Sequence, residues 1–198
     1  MHGATGAQRS PALSALRAVG KDAVAAVRNT ASVPDGVDAV SVDLTDSTTL
    51  AAAYTGAEGV FIHLPMGSPE KTAAIVGAIP AAIAAARPGR VVISTSGMIV
   101  DEPESPLQAP DDSPIATLIR ETKATGVSTA VVAPRLYLEN LLMPSIAGPA
   151  REDGVLRYPL PASFPVSWSS HLDVADVVVR LLTDTAVTEP WQSDTPPD

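Results

Sequence analysis

Short apolar runs alternate along this chain with longer Ala-rich segments of helical period. "DAVAAVR" reads as a strand ending at Arg28 and "VDAVSVD" as one ending at Asp43. "GVFIHLP", "RVVISTS" and "VSTAVVAP" read as three more, each bounded by turn residues. "PALSALRAVG" has Pro11 where a first helical turn tolerates it and Gly20 where a helix stops. "DSTTLAAAYTGA" is a helix opened by Asp46 or Ser47. "PEKTAAIVGAIPAAIAAARPG" is helical and is expected to break or kink near Pro80, which lacks the N–H that a helix interior needs. "IATLIRETKATG" closes at Gly126, and "HLDVADVVVRLLTD" is amphipathic, with Leu172, Ala175, Val179 and Leu182 expected on one face. "RLYLENLLM" reads as a short helix or turn, and residues 144–167 as irregular and Pro-rich. Residues 101–112 read as a solvated acidic loop, and 184–198 as a loosely ordered tail.

Strands separated by helices predict βαβ units and a parallel sheet. The segment Gly3-Ala4-Thr5-Gly6-Ala7-Gln8 adds a phosphate-cradling turn. Gly3 permits the bend, Gly6 lets the backbone approach a pyrophosphate, and the following helix offers unpaired N–H groups. The doubly wound nucleotide-binding α/β fold is therefore the leading expectation. Two features sit badly with it. Arg9 stands where a third small residue is usual, and only Met1 and His2 precede Gly3, where a buried strand belongs.

Composition narrows the choices. With 198 residues and 45% hydrophobic content, the chain is expected to build one core. The absence of cysteine excludes disulfides, thiolate metal sites and cysteine nucleophiles. A net charge of −9, with only 13 scattered Lys and Arg, argues against nucleic acid as a ligand. No apolar run is long enough for a membrane span and no signal peptide is visible, so a cytoplasmic protein without membrane contact is the default. The histidines are too dispersed for a metal site, and no G-x-S-x-G elbow suggests a hydrolase.

The strand ends carry the candidate chemistry. Arg28 lies 22 residues after Gly6, where an NAD enzyme would tend to place an acidic residue for the ribose hydroxyl. A cation there suits the 2′-phosphate of NADP, so NADPH is expected to be preferred over NADH. The alternative is a solvated arginine. Asp43 and Leu44 would lie beside adenine, unless Asp43 only caps the next helix. His63, Leu64 and Pro65 end a strand at the expected nicotinamide side. Ser94, Thr95 and Ser96 end another, where Ser94 can touch the nicotinamide ribose or substrate.

"GATGAQ", "AAVR", "VDLTD", "GVFIHLP", "VVISTSG", "APRLYLENLL" and "HLDVADVV" occur in that order. Together they resemble the NmrA-like family of atypical short-chain dehydrogenases, including its NAD(P)H:quinone-reductase-like members, over about residues 2–183. The resemblance implies a Rossmann-like doubly wound parallel sheet whose first strand is largely missing here, with a reduced C-terminal substrate lobe. Residues 1–183 would form one NAD(P)-binding domain, with 133–183 on the substrate side. Gly3, Thr5, Gly6, Ala7 and Gln8 would hold the pyrophosphate, and Tyr137 and Asn140 would line the substrate side. The family's "RPxxFxEN" departs here in its first residue, which is Ala133.

Ordinary short-chain dehydrogenases use a Tyr-x-x-x-Lys pair. Here Tyr54, Tyr137 and Tyr158 are followed four residues later by Glu58, Leu141 and Ala162, so no pair exists and the catalytic residues are left unassigned. Quinones accept hydride without a strong acid, so the expected activity is NADPH-dependent reduction of a small quinone-like acceptor. The alternatives are a non-catalytic NADP(H) sensor that binds a regulatory protein, and an inactive remnant. In the expected strand order 3-2-1-4-5 the missing strand is central. Its loss removes on the order of 10 hydrogen bonds, each worth about 1 kcal/mol. A late start, a remnant, or a strand supplied by another segment would each account for the gap.

Overall fold

A computed structural model describes residues 9–161, 165–184 and 186. The Gly3–Gln8 turn lies outside them. The elements in chain order are α1 (Arg9–Ala18), β1 (Ala25–Val27), β2 (Ala39–Ser41), α2 (Ser47–Tyr54), β3 (Val60–His63) and α3 (Pro69–Ala86). They continue as β4 (Val91–Ser94), α4 (Pro114–Ala124), β5 (Thr129–Val132), β6 (Leu136–Tyr137), α5 (Pro144–Asp153), β7 (Trp168–Ser169) and α6 (His171–Thr183).

Local chemistry sets several helix starts. Asp46, Ser68 and Ser113 accept backbone N–H bonds from Thr48, Lys71 and Ala116 in the first turns of α2, α3 and α4. Pro69 and Pro114 occupy first-turn positions that have no helical partner to lose. Ser170 and Asp173 form a reciprocal capping box on α6.

Three expectations need correction. The break at Pro80 does not occur: α3 is continuous, its buried Ile75, Ile79 and Ile83 outweighing one absent hydrogen bond. The stretch 144–167 is not wholly irregular. Pro144 starts α5, Ile146 anchors it, and Gly154 ends it with φ +70°, although Pro149 lies inside. On α6 the buried stripe is Val174, Ala175, Val178 and Leu181, while Leu172 is 66% exposed. The helical period was right and the face was turned by about one residue.

The core is layered by the period-two alternation of its strands. Val60, Ile62, Val91 and Ile93 pack against Leu50, Tyr54, Ile75, Ile79 and Leu118 on one side. Phe61, Val92, Ala130 and Val132 face Ala12, Val174, Ala175 and Val178 on the other. Helices thus cover both faces, as a parallel sheet requires.

The expected continuous sheet is divided among the described strands. β1 pairs with β2, and β3–β4–β5 form a second unit, all parallel. Between the two lies a cleft of about 550 Å³ bordered by Ala26, Val60, Phe61, Leu16, Tyr54 and Leu182. Ala25 donates its N–H to Asp38 (2.8 Å) and Val42 donates to Val27 (2.9 Å), so the intervening Ala26 turns its backbone groups towards the cleft. Val60 donates to Arg90 (2.8 Å), which turns those of Phe61 the same way.

Candidate functional site

Parallel strands end at a common edge, and open α/β sheets bind ligands there. Lys21, before β1, reaches Glu58, before β3, at 3.1 Å. The C-terminal end of α1 is therefore at the opposite edge, and its N-terminus opens on the edge where the strands finish. Gly3, Thr5, Gly6, Ala7 and Gln8 lead into that helix but fall outside the described residues.

Arg28 follows β1 directly and is exposed. Asp43 stands two residues after β2. Its carboxylate accepts the Thr45 N–H (2.9 Å) and hydroxyl (2.8 Å). Those two bonds hold its pKa below the ordinary carboxylate value, with the charges of Lys71 and Arg28 adding to the effect against some desolvation. Asp43 is thus fixed in a turn, and the cap of the next helix is Asp46. Leu44 packs on the core beside it. The sequence reading missed Lys71. A cation in the first turn of α3 opposes the helix dipole, and that mismatch was the available signal.

His63 and Ser94 end adjacent strands in direct register. His63, Leu64 and Pro65 are half-buried, whereas Ser94 and Thr95 are buried. The chain then makes a strained bend. Ser96 has φ +59° and Gly97 φ +93°, and the Ser96 N–H donates to Ser94 Oγ (3.2 Å). A Cβ on Gly97 would approach the Arg135 carbonyl to 3.0 Å, so the bend also depends on the missing side chain.

Tyr137 on β6 brings a buried phenol to the same place. Burial pushes its pKa up to about 12, the nearby Ser94 hydroxyl opposes that shift, and the Glu139 charge adds to it. Among the described residues, Thr95 Oγ1, Ser96 Oγ, Tyr137 OH, Glu139 Oε2 and Ser169 Oγ are buried without a hydrogen-bond partner. Buried polar atoms rarely stay unpaired, so this concentration marks a place built to meet a polar ligand. Asn140 points elsewhere: its Nδ2 donates to Tyr158 OH (3.2 Å), and the Tyr158 ring meets Trp168 edge-on. The structure therefore groups His63, Ser94 and Tyr137, and places Asn140 with a second aromatic cluster.

Beyond Gly97 lies a cavity of about 530 Å³ walled by Met98, Ile99, Leu107, Leu136, Leu160 and Val166. Its charged lining residues are Glu102 and Arg135. The loop expected to be solvated thus supplies a wall, folded back by Ala109 N–H to Ile99 O (2.7 Å) and Glu102 N–H to Gln108 Oε1 (2.9 Å). No local pattern announces this cavity, because residues 97–110, 135–136, Leu160 and 165–167 converge only in space. Among the described residues, no helix is long and apolar enough to cross a membrane, and no three metal-ligating side chains gather.

Parallel strands, helices on both faces and a polar carboxyl edge define a Rossmann-type α/β protein. The pattern of the NmrA-like family matches residues 1–192, and the chain belongs to that family. Over 148 residues it is 32% identical to NAD(P)H azoreductase of Xenophilus azovorans, which covers 75% of this chain and 49% of that protein. The chain thus spans about half the length of this curated relative. The NADP(H) complex of Citrobacter sp. triphenylmethane reductase superposes with a TM-score of 0.78 at 15% identity, over 96% of this chain and 67% of that one. The NADPH complex of an Escherichia coli quinone oxidoreductase gives 0.77 at 20% identity, over 96% and 66%. At these identities the structural likeness is one of fold.

Proposed function

We propose that this chain binds NADP(H) along the carboxyl edge of its strands and reduces a quinone-like acceptor beside Ser94 and Tyr137. Residues 1–183 would form the binding domain and 133–183 its acceptor side. The observation that carries the reading is the meeting of His63, Ser94 and Tyr137, with the hydroxyls of Thr95 and Ser96, unpaired among the described residues, next to it and an apolar cavity beyond. Such a place fits a group with one polar, hydrogen-bonding end and one flat apolar neighbour. The names of the relatives, an NAD(P)H azoreductase and an NADPH-dependent quinone oxidoreductase, support the same chemistry.

Gly3, Thr5, Gly6, Ala7 and Gln8 would hold the pyrophosphate at the start of α1. Arg28, with Lys71 across Asp43, would hold a 2′-phosphate, which favours NADPH over NADH. Leu44 would offer an apolar face to adenine. His63, Leu64 and Pro65 would border the nicotinamide, and Ser94 would meet its ribose. When bound, the reduced dinucleotide would supply a hydride, and the single proton that completes a quinone-to-hydroquinone reduction would come from water. Tyr137 keeps its proton at neutral pH, so it serves as a hydrogen-bond donor to an acceptor oxygen and not as a base.

Calorimetric titration of the chain with NADPH and NADH, followed by a quinone-dependent NADPH oxidation assay, tests the proposal. Preferred NADPH binding with turnover is expected. Absence of binding by either nucleotide would remove the proposal. Binding without turnover of any acceptor would replace the reductase by a nucleotide sensor.

A further inference from the structure

The Tyr137 side chain meets groups from three other segments. Ser169 on β7 stands opposite it in parallel register, so both side chains leave the same face. The His171 ring, at the first residue of α6, lies 4.6 Å from the phenol ring. Glu139, in the turn Leu138–Leu142, accepts the His171 backbone N–H through Oε1 (2.8 Å), and the same oxygen lies 3.5 Å from His171 Nδ1. Its other oxygen, Oε2, is buried without a hydrogen-bond partner among the described residues, as are Tyr137 OH and Ser169 Oγ. The His171 side chain is 14% exposed and that of Glu139 is 33% exposed. A carboxylate and an imidazole are thus held together beside the phenol.

The surrounding charges are engaged elsewhere. Arg135, just before β6, is bound to Asp101 (2.9 Å) and Glu102 (2.7 Å). Asp173 on α6 is taken up by the Ser170 N–H (2.7 Å) and hydroxyl (2.8 Å). Asp176 and Arg180, further along α6, are exposed, as are the charged residues that end α5, Arg151 to Asp153. On α1, Arg17 stands in the last turn, at the opposite edge. β7 and β4 bring no charge, and β3 ends in a second titratable group, His63, in register with Ser94. Among the described residues, the ion-pair partner of Glu139 is therefore His171. Histidine is the side chain that ordinarily changes charge between pH 5 and 8. Protonated, His171 neutralises Glu139. Uncharged, it leaves the carboxylate unopposed. That charge is felt at the phenol, where it adds to the effect of burial against the opposing Ser94 hydroxyl.

We propose that Glu139 and His171 act as a charge pair that sets how well Tyr137 stabilises the reacting acceptor, and so make the reduction faster at mildly acidic pH. The inference rests on the reductase reading above. Hydride transfer adds a hydrogen and an electron pair to a quinone and leaves negative charge on its oxygen, until one proton from water completes the hydroquinone. Tyr137 donates its hydrogen bond to that oxygen. With His171 protonated, the pair beside the phenol is neutral and the developing charge is stabilised. With His171 uncharged, the carboxylate repels that charge and opposes the step. Both residues act through Tyr137, so they are positioning residues.

The test is the pH profile of kcat for NADPH-dependent reduction of a naphthoquinone, from about pH 5.5 to 8.5, in the chain, in Glu139→Gln and in His171→Gln. Taking ratios between proteins at each pH cancels the pH dependence of the reagents. Relative to Glu139→Gln, the unaltered chain should slow by about tenfold across the range, and at the alkaline end the variant should be the faster of the two. His171→Gln keeps the backbone N–H that Glu139 accepts but carries no titratable ring, so it should stay at the slow, alkaline level throughout. Each variant decides alone if the other fails to fold by circular dichroism. Titration of the His171 ring protons by NMR, without nucleotide, reads the pair independently of turnover. Glu139→Gln should lower its midpoint by about half a pH unit or more, because a carboxylate favours the charged imidazole. Parallel profiles in the chain and its variants, or an unmoved midpoint, would overturn the proposal. A lowered midpoint without NADPH oxidation would sustain the pair and sink the reductase reading. NADPH oxidation with parallel profiles would sustain the reductase and remove the pair from its reaction.

Discussion

The Tyr137 ring lies 4.6 Å from the ring of His171, tilted by 48°, and Glu139 accepts the His171 backbone N–H at 2.8 Å. A contact between β6 and the first residue of α6 thus fixes the phenol at the end of β4. Its hydroxyl is buried without a partner among the described residues. A buried unpaired hydroxyl costs stability, so Tyr137→Phe should leave the melting temperature unchanged or raise it by an amount corresponding to about 1 kcal/mol. If the hydroxyl meets the acceptor, kcat/KM for quinone reduction should fall about tenfold in the same variant. A stable variant with undiminished kinetics would confine Tyr137 to packing.

Alkaline titration should expose the same group. The pKa of Tyr137 is pushed up to about 12 from 10.0, and burial raises that of Tyr54 further still. The unfolded chain releases these protons near pH 10 while the folded chain keeps them. Their contribution is therefore fully present below about pH 10 and is lost as pH rises through the folded value. Tyr137 alone accounts for on the order of 2 kcal/mol across that interval. Urea unfolding between pH 9 and 12 should show falling stability, with a shallower slope in Tyr137→Phe.

Arg28→Glu tests the proposed 2′-phosphate site. Reversing the charge should weaken NADPH by about ten- to a hundredfold and NADH by little, since charge-assisted bonds of this kind contribute roughly 1.5–3 kcal/mol. Lys71→Gln should give a smaller loss of the same selectivity. Equal losses for both nucleotides would place Arg28 away from the 2′ position.

Two glycines make a matched pair for the fold. A Cβ on Gly89 would lie 2.6 Å from the Glu58 carbonyl oxygen, a backbone atom with little room to yield. A Cβ on Gly77, exposed in the interior of α3, meets nothing within 4 Å. Gly89→Ala should destabilise by more than about 1 kcal/mol, whereas Gly77→Ala should stabilise by about 0.5–1 kcal/mol through helix propensity. Thermal unfolding of the two variants side by side decides it.

These residues also show where the sequence was informative. Val60–His63 and Val91–Ser94 were readable as strands because their apolar runs are short, β-branched and bounded by turns. Their parallel pairing then brings His63 and Ser94 to one edge. β6 and β7 were not readable, since each pairs through only two residues and depends on a partner about 30 positions away. Pro144 and Pro149 looked like breakers, yet one starts α5 and the other is carried inside it. The cavity was least legible, because Glu102 and Arg135 are separated by 33 residues and meet only after folding.

The cleft between β1 and β3 yields the last prediction. Ala26 and Phe61 are buried, at 4% and 1% exposure, and both turn backbone groups into the opening. α1 runs from the carboxyl edge to the opposite one, so a strand entering it through Gly3–Gln8 would pass up the cleft parallel to both neighbours. An engineered chain carrying five or so alternating Val and Ile residues ahead of Gly3 should pair with both edges. The gain in hydrogen bonds and burial, less the ordering cost, should raise unfolding stability by on the order of 3 kcal/mol. Amide exchange at Ala26 and Phe61 should slow together, because the two sheets would then open as one. A more stable chain without that joint protection would mean that the added segment binds elsewhere.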